Sequence, residues 1–369
     1  MTPNKFGVGI IGCGAISGYH VKAYAEFPEC ELKAVADISL DKARQLAASA
    51  GDGVEAYESF QALLARDDID IVSICTPPFA HKETVIASLL AGKHVLCEKP
   101  FAPSLQDCDE MIEAARKTGR KLAVTFQYRY RKDFNQMKRI VDSGVMGPPV
   151  FAQMNGLYWR GDDYYNVPWR GKFETECGGV TMNHAIHPLD VFLWIMGDLQ
   201  SVTATAHTVA HQIEVEDMST ATATFKNGAT AQLTCTLNSV KQDISLTVSG
   251  KTKAIGVTGA FSEQPLSYHA VKDNGGGFSI PDPEGAAELQ QAASEVTHGT
   301  EDHTGPIGDL LAAIREDREP VVNGLEGRRT IEAITAIYKS AAAGTKVTLP
   351  LAKDDPWYTT DGILRNVKR

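Results

Sequence analysis

The chain has 369 residues, 43% of them hydrophobic, which is too long for one ordinary core and long enough for two domains. Its formal net charge of -10 is spread along the sequence, which excludes a basic face for nucleic acid or for an anionic membrane. No run approaches the roughly 20 apolar residues of a membrane helix, and Met1 to Lys5 lead into a strand-like run without a signal-peptide pattern, so a cytoplasmic protein is expected.

Residues 6–11 form a short apolar run, followed by Gly12-Cys13-Gly14-Ala15-Ile16-Ser17 and a helix-compatible stretch to about Phe27. The alternation recurs: 31–36 reads as strand, 39–50 as helix, 69–75 as strand, 80–91 as helix, 93–97 as strand, 104–118 as helix and 121–126 as strand. Strands alternating with helices of this length imply right-handed crossovers and a mostly parallel sheet. Beyond about residue 148 the texture changes. Segments 149–159, 200–210, 217–226, 229–238, 243–250 and 253–258 are rich in Thr, Val and Ala, and Lys226-Asn227-Gly228 reads as a hairpin turn, so this half is expected to be an antiparallel sheet. Residues 259–284, with Gly275-Gly276-Gly277, Pro281 and Pro283, read as a mobile surface loop. Helical patterns return at 285–297, 305–316 and 325–343, with Gly344 where a helix C-terminus wants it. The fold class is therefore α/β: an N-terminal dinucleotide-binding domain over 1–128, then an α+β domain over 129–369 with a large open, mostly antiparallel sheet. Seven cysteines (13, 30, 75, 97, 108, 177 and 235), with no Cys-x-x-Cys pair, read as reduced thiols, and no metal site is expected.

The first turn carries the cofactor signal. A glycine at 12 permits the tight turn, and one at 14 lets the backbone approach a pyrophosphate on the helix N-terminus, where free N–H groups favour an anion. Ser17 stands at the third fingerprint position, where a small residue suffices for helix–strand packing. The second strand ends in Ala36-Asp37, about 25 residues after Gly12, where an acidic side chain can accept hydrogen bonds from ribose hydroxyls. Asp37 repels a 2′-phosphate and its neighbours Ile38 and Ser39 supply no arginine clamp, which favours NAD over NADP; a helix N-cap role fits Ser39 better. Thr76, Pro77 and His81 follow the third apolar strand at the carboxyl edge of the sheet. His81 near the cofactor and His81 as a solvated loop residue both stay open.

Lys99 closes a buried strand directly before Pro100, where a cis bond is one way to aim the side chain at a nicotinamide. A surface lysine is the plain alternative. At this point the sequence resembles a known family, the glucose-fructose oxidoreductase, inositol dehydrogenase and rhizopine-catabolism (Gfo/Idh/MocA) oxidoreductases. The resemblance lies in the Gly12-x-Gly14 turn, Asp37, Thr76-Pro77 with His81, Gly92-Lys93-His94-Val95 running into Glu98-Lys99-Pro100, and Phe126-Gln127-Tyr128-Arg129. It continues through Trp169-Arg170, Gly178-Gly179 with His187 and Asp190, and the tail from Gly324 to Ala343.

The resemblance implies an NAD-dependent dehydrogenase acting on a secondary hydroxyl of a sugar, glycoside or cyclitol, assembled as a homo-oligomer, dimer or tetramer, through the open sheet. It implies that Lys99 and His187 flank the reacting hydroxyl. Cofactor contacts are implied at Gly12, Gly14, Ala15, Ile16, Asp37, Thr76, Pro77, His81, Glu98, Lys99, Gln127, Trp169 and Arg170, and substrate contacts at Lys99, Arg129, Tyr158, Asn183 and His187. A neutral imidazole at His187 would take the hydroxyl proton while Lys99 polarises the oxygen, and the reverse assignment stays open. Many members carry an aspartate four residues before the histidine. Asn183 stands there in this chain and cannot act as a base, so it is expected to orient the substrate or Lys99.

Three further alternatives stay open. Asp190 either locks the His187 ring or forms a cap or salt bridge. Trp169 either touches a ligand or packs in the core, and Tyr158, Tyr164 and Tyr165 either stack on a sugar or form an interface cluster. At the level of function, an enzyme that keeps and recycles its NAD and a non-catalytic NAD or sugar sensor are the rival readings.

Overall fold

The computed structural model describes residues 5–367, so most of the Met1–Lys5 stretch read above, and residues 368 and 369, lie outside the described residues. Six strands and five helices build the first layer structure: β1 (Phe6–Ile11), α1 (Ser17–Ala25), β2 (Cys30–Ala36), α2 (Leu40–Ala50), β3 (Glu55–Tyr57), α3 (Phe60–Leu64), β4 (Ile71–Ile74), α4 (His81–Leu90), β5 (His94–Cys97), α5 (Leu105–Thr118) and β6 (Leu122–Val124). The strands pair in parallel in the order β3-β2-β1-β4-β5-β6. That order reverses direction between β1 and β4, the crevice where open α/β sheets bind ligands at the strands' carboxyl ends. Val8, Ile10, Ile71, Val72, Ile74, Val95 and Leu96 are fully buried because helices cover both faces, which is why these strands read as continuous apolar runs.

The rest of the chain supplies α6 (Lys132–Ser143), β7 (Phe151–Trp159), α7 (Phe173–Glu176), α8 (Val180–Asn183), α9 (Ile186–Met196), β8 (Leu199–His207), β9 (Met218–Phe225), β10 (Thr230–Thr236), β11 (Asn238–Ser249), β12 (Lys253–Val257), β13 (Ser267–Asp273), β14 (Ser279–Pro281), α10 (Pro283–Ser294), α11 (Thr304–Glu316), α12 (Gly324–Ala343), β15 (Val347–Thr348) and α13 (Thr360–Val367). Nine strands form one sheet in the order β14-β13-β12-β11-β7-β10-β9-β8-β15. All its pairs are antiparallel except β7 with β10. Period-two alternation decides its faces: Ala204, Ala221, Ala223, Ala231 and Leu233 are buried, while Thr203, Thr205, Thr222, Thr230 and Gln232 are exposed. Small alanines on the covered face let α12 lie close to β8, and the Ala204 N–H donates to Ser340 Oγ at 2.9 Å.

One expectation needs correction. Residues 259–284 are not a plain surface loop, since β13 and β14 fall inside them and extend the sheet beyond β12. Only Ala270 of β13 is buried, so the strand has no apolar alternation to betray it. Later helices also return to the first sheet. Ile307, Leu310 and Leu311 of α11 pack against Val8, Ala23, Tyr24, Ile71, Leu96 and Ala123 of the first sheet and α1. The Val124 N–H then donates to the Val322 carbonyl at 2.9 Å, which ties the start of α12 to β6. All seven cysteines are free. No helix among the described residues is long and apolar enough to cross a membrane.

Candidate active site

The turn after β1 is shaped by sterics. Gly12 has φ +96°, and a Cβ there would stand 2.6 Å from the Cys75 carbonyl carbon and 2.7 Å from Thr76 N, so the ends of β1 and β4 meet only if residue 12 is glycine. Gly14 is exposed, with no atom within 4 Å of a built Cβ, which leaves the N-terminal side of α1 open to a ligand. Ser17 is fully buried and donates to the Gly14 carbonyl at 2.6 Å, so its hydroxyl closes the turn at the place where a third glycine would stand. Asp37 accepts from the Cys13 N–H at 2.8 Å and the Ser39 N–H at 2.8 Å, which fixes its carboxylate beside the turn.

His81 is fully buried, and its two ring nitrogens lie 2.8 Å from the Pro100 and Thr76 carbonyls. Both nitrogens face carbonyls of the loops after β4 and β5, and the neutral ring donates its one N–H to one of them. His81 is therefore not the solvated loop residue that was one of the two readings of the sequence; its ring is enclosed behind the loops that follow β4 and β5.

Lys99 follows β5 through a cis bond to Pro100. Its Nζ donates to the main-chain carbonyl of Asn183 at 3.1 Å, so the backbone of α8, and not the Asn183 amide, orients the lysine. The Asn183 side chain instead donates to the Gly178 carbonyl at 2.6 Å and the Glu176 carbonyl at 3.2 Å, which ties the glycine turn to α8. Burial lowers the pKa of Lys99 and Arg170 adds to the effect, while Glu98 and Glu176 oppose it. His187, in the first turn of α9, stacks on Tyr128 with ring centroids 5.1 Å apart and meets the edge of Phe126 at 6.2 Å. Its Nδ1 is buried without a partner, and burial together with the Lys99 charge holds the ring well below the usual histidine range, hence neutral.

Asp190 does not lock His187. Its carboxylate is fully buried and accepts two N–H bonds from Arg129, both at 2.7 Å, and an O–H bond from the Thr330 hydroxyl at 3.0 Å. Arg129 also reaches Glu326 at 2.6 Å and is 3% exposed. The expected substrate contact at Arg129 is therefore corrected: its guanidinium is consumed in an internal ion-pair network.

The opposite wall comes from the segment after β7. Arg170 lies 3.7 Å above the Tyr164 ring and 4.9 Å from Trp169, and its Nε and Nη1 are buried without partners. Trp169 is half-buried and outside the core. The Tyr158 hydroxyl donates to the His184 carbonyl at 3.0 Å, and the His184 ring lies between Tyr158 and Tyr164 at 5.5 and 5.3 Å. Glu176 accepts from the Gly171 N–H at 2.5 Å, and burial pushes its carboxyl up to about 7.

Sequence reasoning had not singled out Glu176, His20 or His303. His20 carried a readable signal, three residues after Ser17 on the buried face of α1, whereas His303 carried none, since its partner lies 205 residues away.

Residues 6–126 match a family model described as an oxidoreductase family with an NAD-binding Rossmann fold, and residues 134–255 match the GFO/IDH/MocA C-terminal domain. The chain belongs to the Gfo/Idh/MocA oxidoreductases. Within that family it is 27% identical to the D-glucoside 3-dehydrogenase of Escherichia coli, over 95% of this chain and 99% of that protein. It is 30% identical to the inositol 2-dehydrogenase of Pseudomonas savastanoi pv. phaseolicola over 193 residues, about half of each chain, 52% and 54%. Among solved structures, the WlbA dehydrogenase from Bordetella pertussis, crystallised with NADH and UDP-GlcNAcA, superposes with a TM-score of 0.83 at 28% identity, covering 95% of this chain and all of that one. NAD is the cofactor of this Rossmann domain, and the residues present fit it. Gly14 leaves the helix start open, Asp37 stands at the end of β2, and Thr76 Oγ1, Gln127 Oε1, the two Arg170 nitrogens and His187 Nδ1 are buried polar atoms with no partner among the described residues.

Proposed function

We propose that this oxidoreductase is a dehydrogenase for a secondary hydroxyl of a sugar, glycoside or cyclitol, with Lys99 and His187 on either side of the reacting oxygen. NAD, when bound, supplies the hydride acceptor. The observation that carries the reading is the pairing of a neutral imidazole, whose Nδ1 has no partner among the described residues, with a half-buried lysine whose charge acts on that ring. His187 can take a proton at neutral pH because burial keeps the ring basic nitrogen free, and Lys99 can steady the developing alkoxide with its N–H donors. The Asn183 carbonyl holds the ammonium in place, and stacking on Tyr128 fixes the imidazole plane. The Tyr158, Tyr164 and His184 rings supply apolar faces of the kind that carbohydrates cover. The names of the relatives, a glucoside dehydrogenase and an inositol dehydrogenase, support the same substrate class. The exposed threonine face of the large sheet is the surface we assign to homo-oligomer assembly.

The test is turnover of purified protein with NAD and a panel of sugars, glycosides and inositols, followed by absorbance of the reduced cofactor. Lys99→Met and His187→Asn should each lower kcat by about 100-fold or more. A panel that yields no reduced cofactor, or Lys99→Met turning over as fast as the parent, overturns the assignment.

A further inference from the structure

Behind Lys99 lies a group of titratable side chains that the proton transfer leaves unused. Glu98, at the end of β5, is 5% exposed, and its Oε1 meets His20 Nε2 at 2.9 Å and His303 Nε2 at 3.2 Å. His20 comes from α1, and His303 directly precedes α11. The two rings stand 4.7 Å apart.

The partners fix the tautomers. Tyr24 Oη lies 2.9 Å from Ser73 Oγ, which lies 3.2 Å from His20 Nδ1. With Tyr24 donating to Ser73 and Ser73 donating to Nδ1, the His20 proton sits on Nε2 and points at Glu98. His303 likewise turns Nε2 to Glu98, and its Nδ1 is buried without a partner. Glu98 Oε2 in turn accepts from the Lys99 N–H at 3.3 Å. The three side chains bring one ligand atom each within 4.8 Å, close enough to suggest a metal, yet with both Nε2 hydrogens aimed at one oxygen the group is already complete as a hydrogen-bonded cluster.

We propose that His20 and His303 form a two-imidazole clamp that fixes Glu98 as an anion beside Lys99, which makes His303 a positioning residue for the lysine, an assignment that rests on the role given to Lys99 above. Burial alone would protonate Glu98, but the two imidazole hydrogen bonds outweigh it and hold the carboxyl well below its ordinary range. The anion then works against burial and Arg170, the influences that strip the proton from Lys99. Glu176, His184 and His187 also face Lys99, and Cys75, Cys97 and His81 lie close to Glu98. None of these supplies Glu98 with a hydrogen bond among the described residues. Without the His303 N–H, burial is opposed by His20 alone, Glu98 takes up its proton more readily, and a protonated Glu98 no longer supports the Lys99 charge, so the Lys99 midpoint falls.

The experiment titrates Lys99 directly in the full-length protein. Lysines are reductively dimethylated with 13C-formaldehyde, and the Lys99 resonance is assigned by its loss in Lys99→Arg. Its midpoint is then followed against pH in the parent, His303→Ala, His303→Gln and Glu98→Gln, with thermal melting recorded for each. The expected result is a fall of about one pH unit in His303→Ala, at least as large in Glu98→Gln, with His303→Gln, whose amide can donate, returned most of the way to the parent. In turnover, kcat of His303→Ala should drop about 10-fold while KM for NAD stays within about 3-fold. A midpoint unmoved in Glu98→Gln overturns the proposal even if His303→Ala does not fold, and so does a His303→Gln midpoint no closer to the parent than that of His303→Ala. A sugar panel without turnover would sink the dehydrogenase assignment while leaving the titration able to decide this one.

Discussion

Replacing Arg129 with methionine separates a ligand contact from an internal clamp. The side chain is 3% exposed, its Nε and Nη2 each donate to Asp190 at 2.7 Å, and Nη1 donates to Glu326 at 2.6 Å. Methionine keeps much of the volume but removes all three bonds, each charge-assisted and worth about 1.5–3 kcal/mol. Asp190, fully buried, is left with the Thr330 hydroxyl alone. Burial already raises the Asp190 pKa even beside Arg129, so in the variant the carboxyl takes up a proton, which caps the loss. The expected cost is that of breaking a buried pair, about 3–5 kcal/mol, seen as a fall in melting temperature on the order of 5–10 °C and a lower urea midpoint. Because no part of Arg129 is left for a ligand, kcat/KM per folded molecule should change by less than about 3-fold. Adding Asp190→Leu should recover most of the stability, since two apolar partners leave no buried charge unpaired. A melting temperature within about 1 °C of the parent, combined with a raised substrate KM, would refute the clamp and return Arg129 to the substrate.

Gly12→Ala should lose NAD affinity by about 100-fold or fail to fold, because its Cβ meets the Cys75 and Thr76 backbone at 2.6–2.7 Å; a fluorescence titration with NADH that shows parental affinity contradicts this. Gly14→Ala, with open space around the new methyl, should keep the melting temperature and lose NAD affinity by about 10-fold, and unchanged binding would show that the helix start does not receive the cofactor. Asp37→Ala should lower the NAD over NADP preference by about 10-fold, and an unaltered ratio of kcat/KM values would remove Asp37 from the ribose site. Glu176 has a folded pKa raised by burial from 4.5 to about 7, so its folded form binds the proton more tightly and stability falls as pH rises through that interval. Glu176→Gln should flatten that decline by up to about 3 kcal/mol, measured as urea midpoints at pH values on either side of it, and parallel parent and variant curves would refute it.

The first sheet was legible, except for β3 and α3, because its inner strands are buried on both faces and separated by helices of ordinary length; β3 is three residues long and only partly covered, so it leaves no apolar run to read. The second sheet was legible through β7 to β12, where Thr and Ala alternate across an open and a covered face. Legibility fails at β13, whose residues face solvent on both sides except Ala270, so its strand character comes from pairing with β12 and not from its own pattern. It fails again where chemistry depends on distant partners. Arg129 could be seen as a cation beside a motif, but its pairing with Asp190, 61 residues on, is a property of how α9 docks. The same holds for Glu98, which the family resemblance puts at the cofactor and the folded chain gives to two histidines. Asn183 teaches a subtler lesson: the change from the usual carboxylate draws the eye to the side chain, yet the contact with Lys99 is made by its carbonyl, an atom that every residue type carries.

The outermost strands of the large sheet, β14 and β15, are three and two residues long, and β14 ends in Pro281 while Pro350 follows soon after β15. Proline offers no N–H, and so short a border exposes few unpaired donors and acceptors to a passing strand. The protein can therefore be crowded without its widest sheet acting as a seed for end-on polymerisation. The homo-oligomer proposed above would then form through a sheet face, where side chains choose the partner, and not through edges, where any extended polypeptide would do.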